Sequence, residues 1–311
     1  MQREPLVSVI VCFLDEERFL AEAVQSVRAQ IFADWELWLV DDGSSDGSSA
    51  IARQLAASDP GRIEYLEHAG HGNLGLSASR NAGIRRARGR YIAFLDADDT
   101  WYLRKLEEQV SLLERYPQAA MVVGASTYWR SWSGLPDGAD EIIPIGADQD
   151  TLIAPPQLMT ALYPLGKGRA PPPSDLLLRR DVVQAVGGFE ASFRGPLMLY
   201  EDQAFLSKIY RNHPVYVSSA CWDRYRQRAE SIVATNRAAG RYWKVRSHFL
   251  RWLRRDLART GGVPPGVQEA LDRAMREARV TLARGRASSA VRRLLPAALY
   301  ERLRRLLPAA R

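Results

Sequence analysis

A chain of 311 residues that is 46% hydrophobic and 25% charged can bury one large core, or one core with an appendage, like an ordinary folded protein. Two distant cysteines, Cys12 and Cys221, exclude a zinc ribbon or a disulfide framework and point to a reducing, cytoplasmic setting. The net charge of +7 hides an asymmetry: residues 240–311 hold 18 Arg and Lys against 5 Asp and Glu (net +13), whereas residues 1–239 hold 25 against 31 (net −6). No apolar stretch approaches the roughly 18 residues of a membrane span. The apolar run Leu6–Leu14 runs into Asp15-Glu16-Glu17 without a small-residue cleavage site, so it is read as a strand and not as a signal sequence.

Leu6–Phe13 (LVSVIVCF) predicts a buried strand, and Arg18–Gln30 a helix with Phe19, Leu20, Ala23, Val24 and Val27 on one face. The next strand, Glu36–Val40, ends in Asp41-Asp42-Gly43-Ser44-Ser45-Asp46, followed by a helix over Ser49–Ala57 with Asp46 or Ser48 as its cap. A third strand, Arg62–Leu66, leads through the glycine-rich loop 70–75 into a helix over Ser77–Ala87. Tyr91–Leu95 is a short apolar run of the kind that fills an interior strand, and it delivers Asp96, Asp98 and Asp99 to its carboxyl end. Strand and helix thus alternate four times with short joints, the pattern of an α/β, doubly wound, mostly parallel sheet.

Both acidic ends, Asp41-Asp42 and Asp96-Ala97-Asp98, then fall on the carboxyl edge, where such a sheet opens its crevice. Charges gathered there need a positive partner. Mg2+ or Mn2+ with a phosphorylated ligand fits, because hard cations take one or two carboxylates and complete their shell with phosphate and water. A lone Asp-X-Asp also describes a solvated strand-end loop; two acidic ends in register favour a site. Neither end carries the Gly-X-Gly-X-X-Gly of a dinucleotide fingerprint.

The run PLVSVIVCFLDEERFLAEAVQSVRAQIFADWELWLVDDGSSDGS, followed by NLGLSASRNAGIRRARGRYIAFLDADDTW, resembles the nucleotide-sugar half of the family 2 inverting glycosyltransferases of the GT-A fold. The resemblance covers most of residues 5–115. It implies that Asp42 contacts the base, Asp96 the ribose or metal region and Asp98 a divalent ion, Mn2+ or Mg2+, with Arg80 of SASRNAG facing the nucleotide. Cys12 and Asp15 stand at nucleotide-facing positions where the family usually has proline or threonine and asparagine, departures that bear on base preference.

Downstream, Tyr102–Tyr116 predicts a helix and Ala120–Ala125 a strand, and residues 130–173 predict loops and short helices over the site, where acceptor choice resides. Asp175–Leu178 reads as a strand, Arg180–Val186 as a helix, and Gly187-Gly188-Phe189 resembles the family's GGF turn. A helix then opens at Tyr200-Glu201-Asp202-Gln203. A carboxylate there can simply answer the helix dipole. An inverting transfer, however, needs a base for the acceptor hydroxyl, and the family's equivalent aspartate is that base. The role carries over to Asp202, with Glu201 orienting it or touching the acceptor. Arg228, in the segment Tyr225-Arg226-Gln227-Arg228, stands where the family often has histidine; a cation there can meet diphosphate, but no metal-ligand role carries over. His68, His71, His213 and His248 are scattered and receive no role.

From residue 240 the chain becomes arginine-rich and helical, with Tyr242, Val245, Phe249, Trp252 and Leu253, and again Leu295, Leu299, Leu303, Leu306 and Leu307, at helical spacing. Such helices either lie on an anionic membrane surface or pack their apolar stripes on the catalytic domain; nucleic-acid binding has no recognition motif behind it. The expected organisation is a catalytic domain over 1–239 (nucleotide-sugar half 1–115, acceptor half 116–239) and a basic helical extension over 240–311. The expected activity is metal-dependent transfer of a sugar from a nucleoside-diphosphate sugar to a glycan or lipid-linked acceptor in bacterial surface-glycan assembly, in the cytoplasm or on the inner membrane face. The alternative is a non-catalytic nucleotide-binding or scaffolding protein of the same fold. A nucleotidyltransferase would need a basic glycine-rich phosphate loop, which FLDEERF does not supply.

Overall fold

Seven consecutive buried residues, Val7–Phe13, form the central strand β1 of a computed structural model that describes residues 4–134, 138–229, 231–264 and 266–294. Burial on both faces requires a side chain for each layer, and the pleat supplies it. Val7, Val9, Val11 and Phe13 enter one apolar cluster, and Ile10 and Cys12 the other. The elements that follow are α1 (Leu20–Arg28), β2 (Trp35–Asp41), α2 (Ser48–Ser58), β3 (Ile63–Glu67), α3 (Leu76–Arg86), β4 (Tyr91–Asp96), β5 (Thr100–Trp101), α4 (Lys105–Arg115) and β6 (Met121–Trp129). Beyond them come β7 (Glu141–Ile143), β8 (Thr151–Ile153), α5 (Gln157–Ala161), β9 (Leu177–Arg179), α6 (Arg180–Ala185), α7 (Glu201–Asn212), β10 (Val215–Arg226), α8 (Ile232–Ala238), α9 (Tyr242–Arg259) and α10 (Val267–Leu294).

The sheet runs β3-β2-β1-β4-β9-β6-β10-β5, with β7 on β6 and β8 on β10. Its first four strands are parallel, as the alternating pattern predicts, and the second half is mixed: β9 is antiparallel to both β4 and β6, while β6 and β10 are parallel. Cys12 pairs with Val40 on one side and Asp96 on the other, and Phe13 pairs with Asp41. Both acidic strand ends therefore share one edge.

Several details differ from the sequence reading. The twelve-residue β10 has no counterpart in it, because Ser218, Ser219 and Asp223 interrupt the apolar pattern and the ladder shifts register between Val217 and Asp223. Two short strands, β7 and β8, lie within the segment read as loops and short helices. Neither Asp46 nor Ser48 caps α2 in the expected way: Asp46 accepts the Ser48 amide at 2.9 Å, and the Ser48 hydroxyl accepts the Glu16 amide at 2.8 Å. Close approach dictates Gly83, where a Cβ would lie 2.6 Å from Ile10 Cγ2 and push α3 off β1.

The apolar stripe of α9 is turned inward. Val245, Phe249, Leu250, Trp252, Leu253 and Leu257 are buried in the same cluster as Phe94, Phe205 and Tyr200. Phe249 stacks on Tyr200 with ring centroids 4.9 Å apart, and Trp252 meets Phe193 edge-on at 5.4 Å. Val267, Ala270, Leu271, Ala274 and Ala278 bring α10 into that cluster too. Of the predicted membrane or packing stripes, the first is thus covered by residues that precede 240; the second, Leu295–Leu307, lies outside the described residues. Phe249→Ala should therefore cost about 3–5 kcal/mol, read as a lower urea midpoint at unchanged slope. An unchanged midpoint would mean that α9 is not part of the core.

Candidate active site

The acidic end of β2 is spent on holding loops. Asp41 accepts the amides of Gly43 (3.1 Å) and Ser44 (2.8 Å) and the hydroxyls of Ser49 (2.5 Å) and Tyr65 (3.0 Å). Asp42, also buried, accepts the Leu74 amide at 2.8 Å, the Gly75 amide at 3.0 Å and the Ser79 hydroxyl at 3.0 Å. It thereby fastens the loop before α3 to the sheet edge. Gly43 permits this: its φ of +86° and a hypothetical Cβ 2.9 Å from the Asn73 nitrogen leave no room for a side chain. His68, a scattered histidine in the sequence, hydrogen-bonds the Ser79 hydroxyl at 2.8 Å and lies 3.6 Å from Asp42.

Fixing the start of α3 fixes Arg80. Its guanidinium is 2% exposed and lies between Asp96 Oδ1, at 2.5 Å, and Glu201 Oε1. The parallel and mixed halves of the fold thus meet through one buried cation, which is engaged by two carboxylates and not open to solvent. Charge pairing holds Arg80 in its protonated form against burial. At Glu201 burial outweighs Arg80 and pushes the carboxyl up to about 7. Asp202, beside it at the start of α7, accepts the Gln203 amide at 2.7 Å, and burial pushes it up to about 6. Cys12 lines the same floor; burial raises its thiol, so it contributes shape and no charge.

Asp98 follows β4 at the same sheet edge, its side chain 19% exposed, with Arg228 at 2.7 Å. Burial outweighs the arginine and raises Asp98 to about 6. Arg228 also grips both Glu16 oxygens, at 3.0 and 2.7 Å. Asp99 belongs elsewhere: fully buried, it accepts the Ser174 hydroxyl (2.6 Å) and the Arg226 amide (2.8 Å), locking the loop after β4 to β10. Asp15 is exposed at φ +55° and accepts the Ser45 amide at 2.6 Å and the Asp46 amide at 3.3 Å, knitting two loops of the edge. Glu16 and Arg226 were missed as site residues, and the acidic run FLDEERF was the sequence signal for the first.

Among the described residues no group of three or more ligating side chains gathers. Asp98 still fits Mg2+ or Mn2+, which bind through one or two protein carboxylates and take their remaining ligands from phosphate and water.

Parallel β1–β4 carrying an Asp-X-Asp edge, joined to a mixed half bearing a buried acidic pair, is the layout of a GT-A transferase. The chain matches the family described as "Glycosyl transferase family 2" over residues 8–186, and it belongs to that family. EpsE of Bacillus subtilis (strain 168) is 42% identical over 116 residues, 37% of this chain and 41% of EpsE. The Escherichia coli UDP-Glc:alpha-D-GlcNAc-diphosphoundecaprenol beta-1,3-glucosyltransferase WfgD is 38% identical over 110 residues, 35% of this chain and 41% of WfgD. The matched stretch thus spans less than half of either relative. Mannosyltransferase PcManGT from Pyrobaculum calidifontis, solved in complex with GDP-Man and Mn2+, superposes over 92% of this chain and 76% of its own with a TM-score of 0.58. At 16% identity that likeness concerns the fold.

Removing Arg80 leaves Asp96 and Glu201 facing each other without a cation. Arg80→Met should destabilise by about 3–5 kcal/mol, and by more at pH 8 than at pH 5, where protonation relieves the repulsion. Denaturant unfolding at both pH values checks this; a pH-independent loss would place the effect in packing.

Proposed function

We propose that this chain is an inverting, divalent-metal-dependent glycosyltransferase that moves a sugar from a nucleoside-diphosphate sugar to an acceptor hydroxyl in bacterial surface-glycan assembly. The observation that carries the reading is the Arg80 bridge, which sets Glu201, and with it Asp202, against the Asp96 edge. In this reading a donor sugar bound at that edge presents its anomeric carbon to a base at the start of α7. The nucleotide sugars named for WfgD and PcManGT support the donor class, and the lipid diphosphate named for WfgD supports a lipid-linked glycan acceptor.

In this reading the base and ribose rest on the loops that Asp42, Asp15 and Cys12 shape. Asp96 and Asp98 face the diphosphate, with Asp98 the metal ligand; the Mn2+ named with PcManGT supports the use of a divalent metal. A bound metal supplies Lewis-acid stabilisation of the leaving diphosphate. The acceptor oxygen attacks the anomeric carbon as the bond to the diphosphate oxygen breaks; the hydroxyl proton passes to Asp202 and the electron pair leaves with the nucleoside diphosphate. Glu201, held by Arg80, orients the start of α7.

A screen of UDP- and GDP-sugars for diphosphate release, with and without Mn2+, tests the activity. Asp202→Asn should lower kcat about 100-fold or more while donor affinity stays near the parent's. A base works deprotonated, so parent kcat should fall as pH drops through about 6. Retained turnover in Asp202→Asn would remove it from the chemistry.

We also place the protein at the inner face of a membrane by charge. Among the described residues no helix is long and apolar enough to cross a bilayer. Arg251, Arg254, Arg255 and Arg259 of α9 and Arg273, Arg276 and Arg279 of α10 are exposed, and the apolar stripes beneath them are covered. Charge attraction of this kind is screened over a Debye length of about 10 Å at 0.1 M salt. The protein should co-sediment with anionic, not neutral, liposomes at low salt and be released at high salt. Protein left in the supernatant at low salt would remove the membrane assignment.

A further inference from the structure

Arg228 is shared between two carboxylates from distant parts of the chain, Glu16 after β1 and Asp98 after β4. Its contacts with them are unequal. Glu16 is gripped through both oxygens, at 3.0 and 2.7 Å, and Asp98 through Oδ2 alone, at 2.7 Å. The guanidinium is 22% exposed and belongs to the loop between β10 and α8, so rotation about its own side chain can move it without disturbing a strand. A guanidinium and a dication cannot both sit at ion-pair distance on one carboxylate without strong repulsion.

We infer that Arg228 and the divalent cation exchange on Asp98: without ligand Arg228 occupies the carboxylate, and when the cation takes it Arg228, still anchored on Glu16, turns to the donor's diphosphate. This rests on Asp98 being the metal ligand of the proposed transferase, and it adds to the diphosphate contact expected of Arg228 a competition with the metal for Asp98. Two consequences follow. Metal alone binds weakly because it must displace a resident cation, and nucleoside diphosphate strengthens metal binding because it offers Arg228 a new partner. Arginine suits such a role, since its planar fork can hold one carboxylate bidentately while turning its remaining N–H groups elsewhere. The neighbouring arginine cannot do the same: Arg226 is 3% exposed, donates to the Asp98 carbonyl at 2.5 Å and pairs with Glu22 at 2.5 Å.

The test is Mn2+ binding to the full chain by calorimetry and by the electron paramagnetic resonance of free Mn2+, alone and with UDP or GDP. Arg228→Gln should bind Mn2+ at least tenfold more tightly than the parent without nucleotide and show a smaller gain when nucleotide is added. Arg228→Lys should return towards the parent. Glu16→Gln, which leaves Asp98 as the remaining carboxylate for Arg228, should weaken Mn2+ binding, so the two changes of charge move affinity in opposite directions. Equal Mn2+ affinity in parent and Arg228→Gln, in proteins whose Mn2+ binding is strengthened by nucleotide, overturns the exchange and leaves the transferase reading standing. No Mn2+ binding in the parent even with nucleotide removes both.

Discussion

The buried guanidinium of Arg80 is the constraint on which the edge depends. A charge taken out of water must be compensated on the spot, and Asp96 and Glu201 supply the compensation from opposite halves of the chain. Its position is inherited. Asp42 pins the loop that starts α3, Gly83 lets α3 press against β1, and Arg80 is carried to the sheet edge between them. Replacing this network with apolar groups could leave a stable fold, but it would remove what sets α7 in register with β4. Such charges therefore bear on geometry more than on net stability.

The start of α7 is braced from its other side as well. Tyr200, one residue before Glu201, is buried against Phe249 of α9, and its hydroxyl meets that of Tyr163, which meets Tyr242 at 2.8 Å. Arg246 lies over the Tyr163 ring, 5.1 Å from its centroid. The helices after residue 240 thus act on the acidic pair through packing: one wall is the charge of Arg80 and Asp96 and the other is aromatic stacking.

Periodicity made the first half of this architecture legible. Residues such as Val7–Phe13 and Tyr91–Leu95 announce buried parallel strands, and a parallel sheet forces Asp41 and Asp96 onto one edge. The second half was less legible for physical reasons. Three-residue strands such as β7 and β8 have no period to detect, and although Asp175–Leu178 reads as a strand, nothing local shows that β9 runs antiparallel between β4 and β6 and joins them. Side-chain roles were hidden for another reason: Asp42 and Asp99 look like ligand carboxylates in the sequence, but the amides and hydroxyls they accept come from residues 32 to 127 positions away. Likewise, nothing local shows that Glu16 waits for Arg228, 212 residues downstream. A motif names the residue type at an edge; the fold decides which carboxylates stay available.

The charge left at that edge links metal and base in the proposed reaction. Asp96 and Glu201 pair with Arg80 and Asp98 with Arg228, and Asp99 and Asp202 add two more acids beside them, so carboxylates outnumber the guanidinium groups that meet them. Burial has already raised Asp98 and Asp202 to about 6 and Glu201 to about 7. A nucleoside diphosphate adds negative charge nearby, which by itself raises these groups further and takes Asp202 towards its protonated, inactive form. Positive charge at Asp98 opposes that shift. In the proposed reaction the cation would then have a second role beyond the leaving group: positive charge added at this edge would help keep Asp202 ionised while the donor is bound.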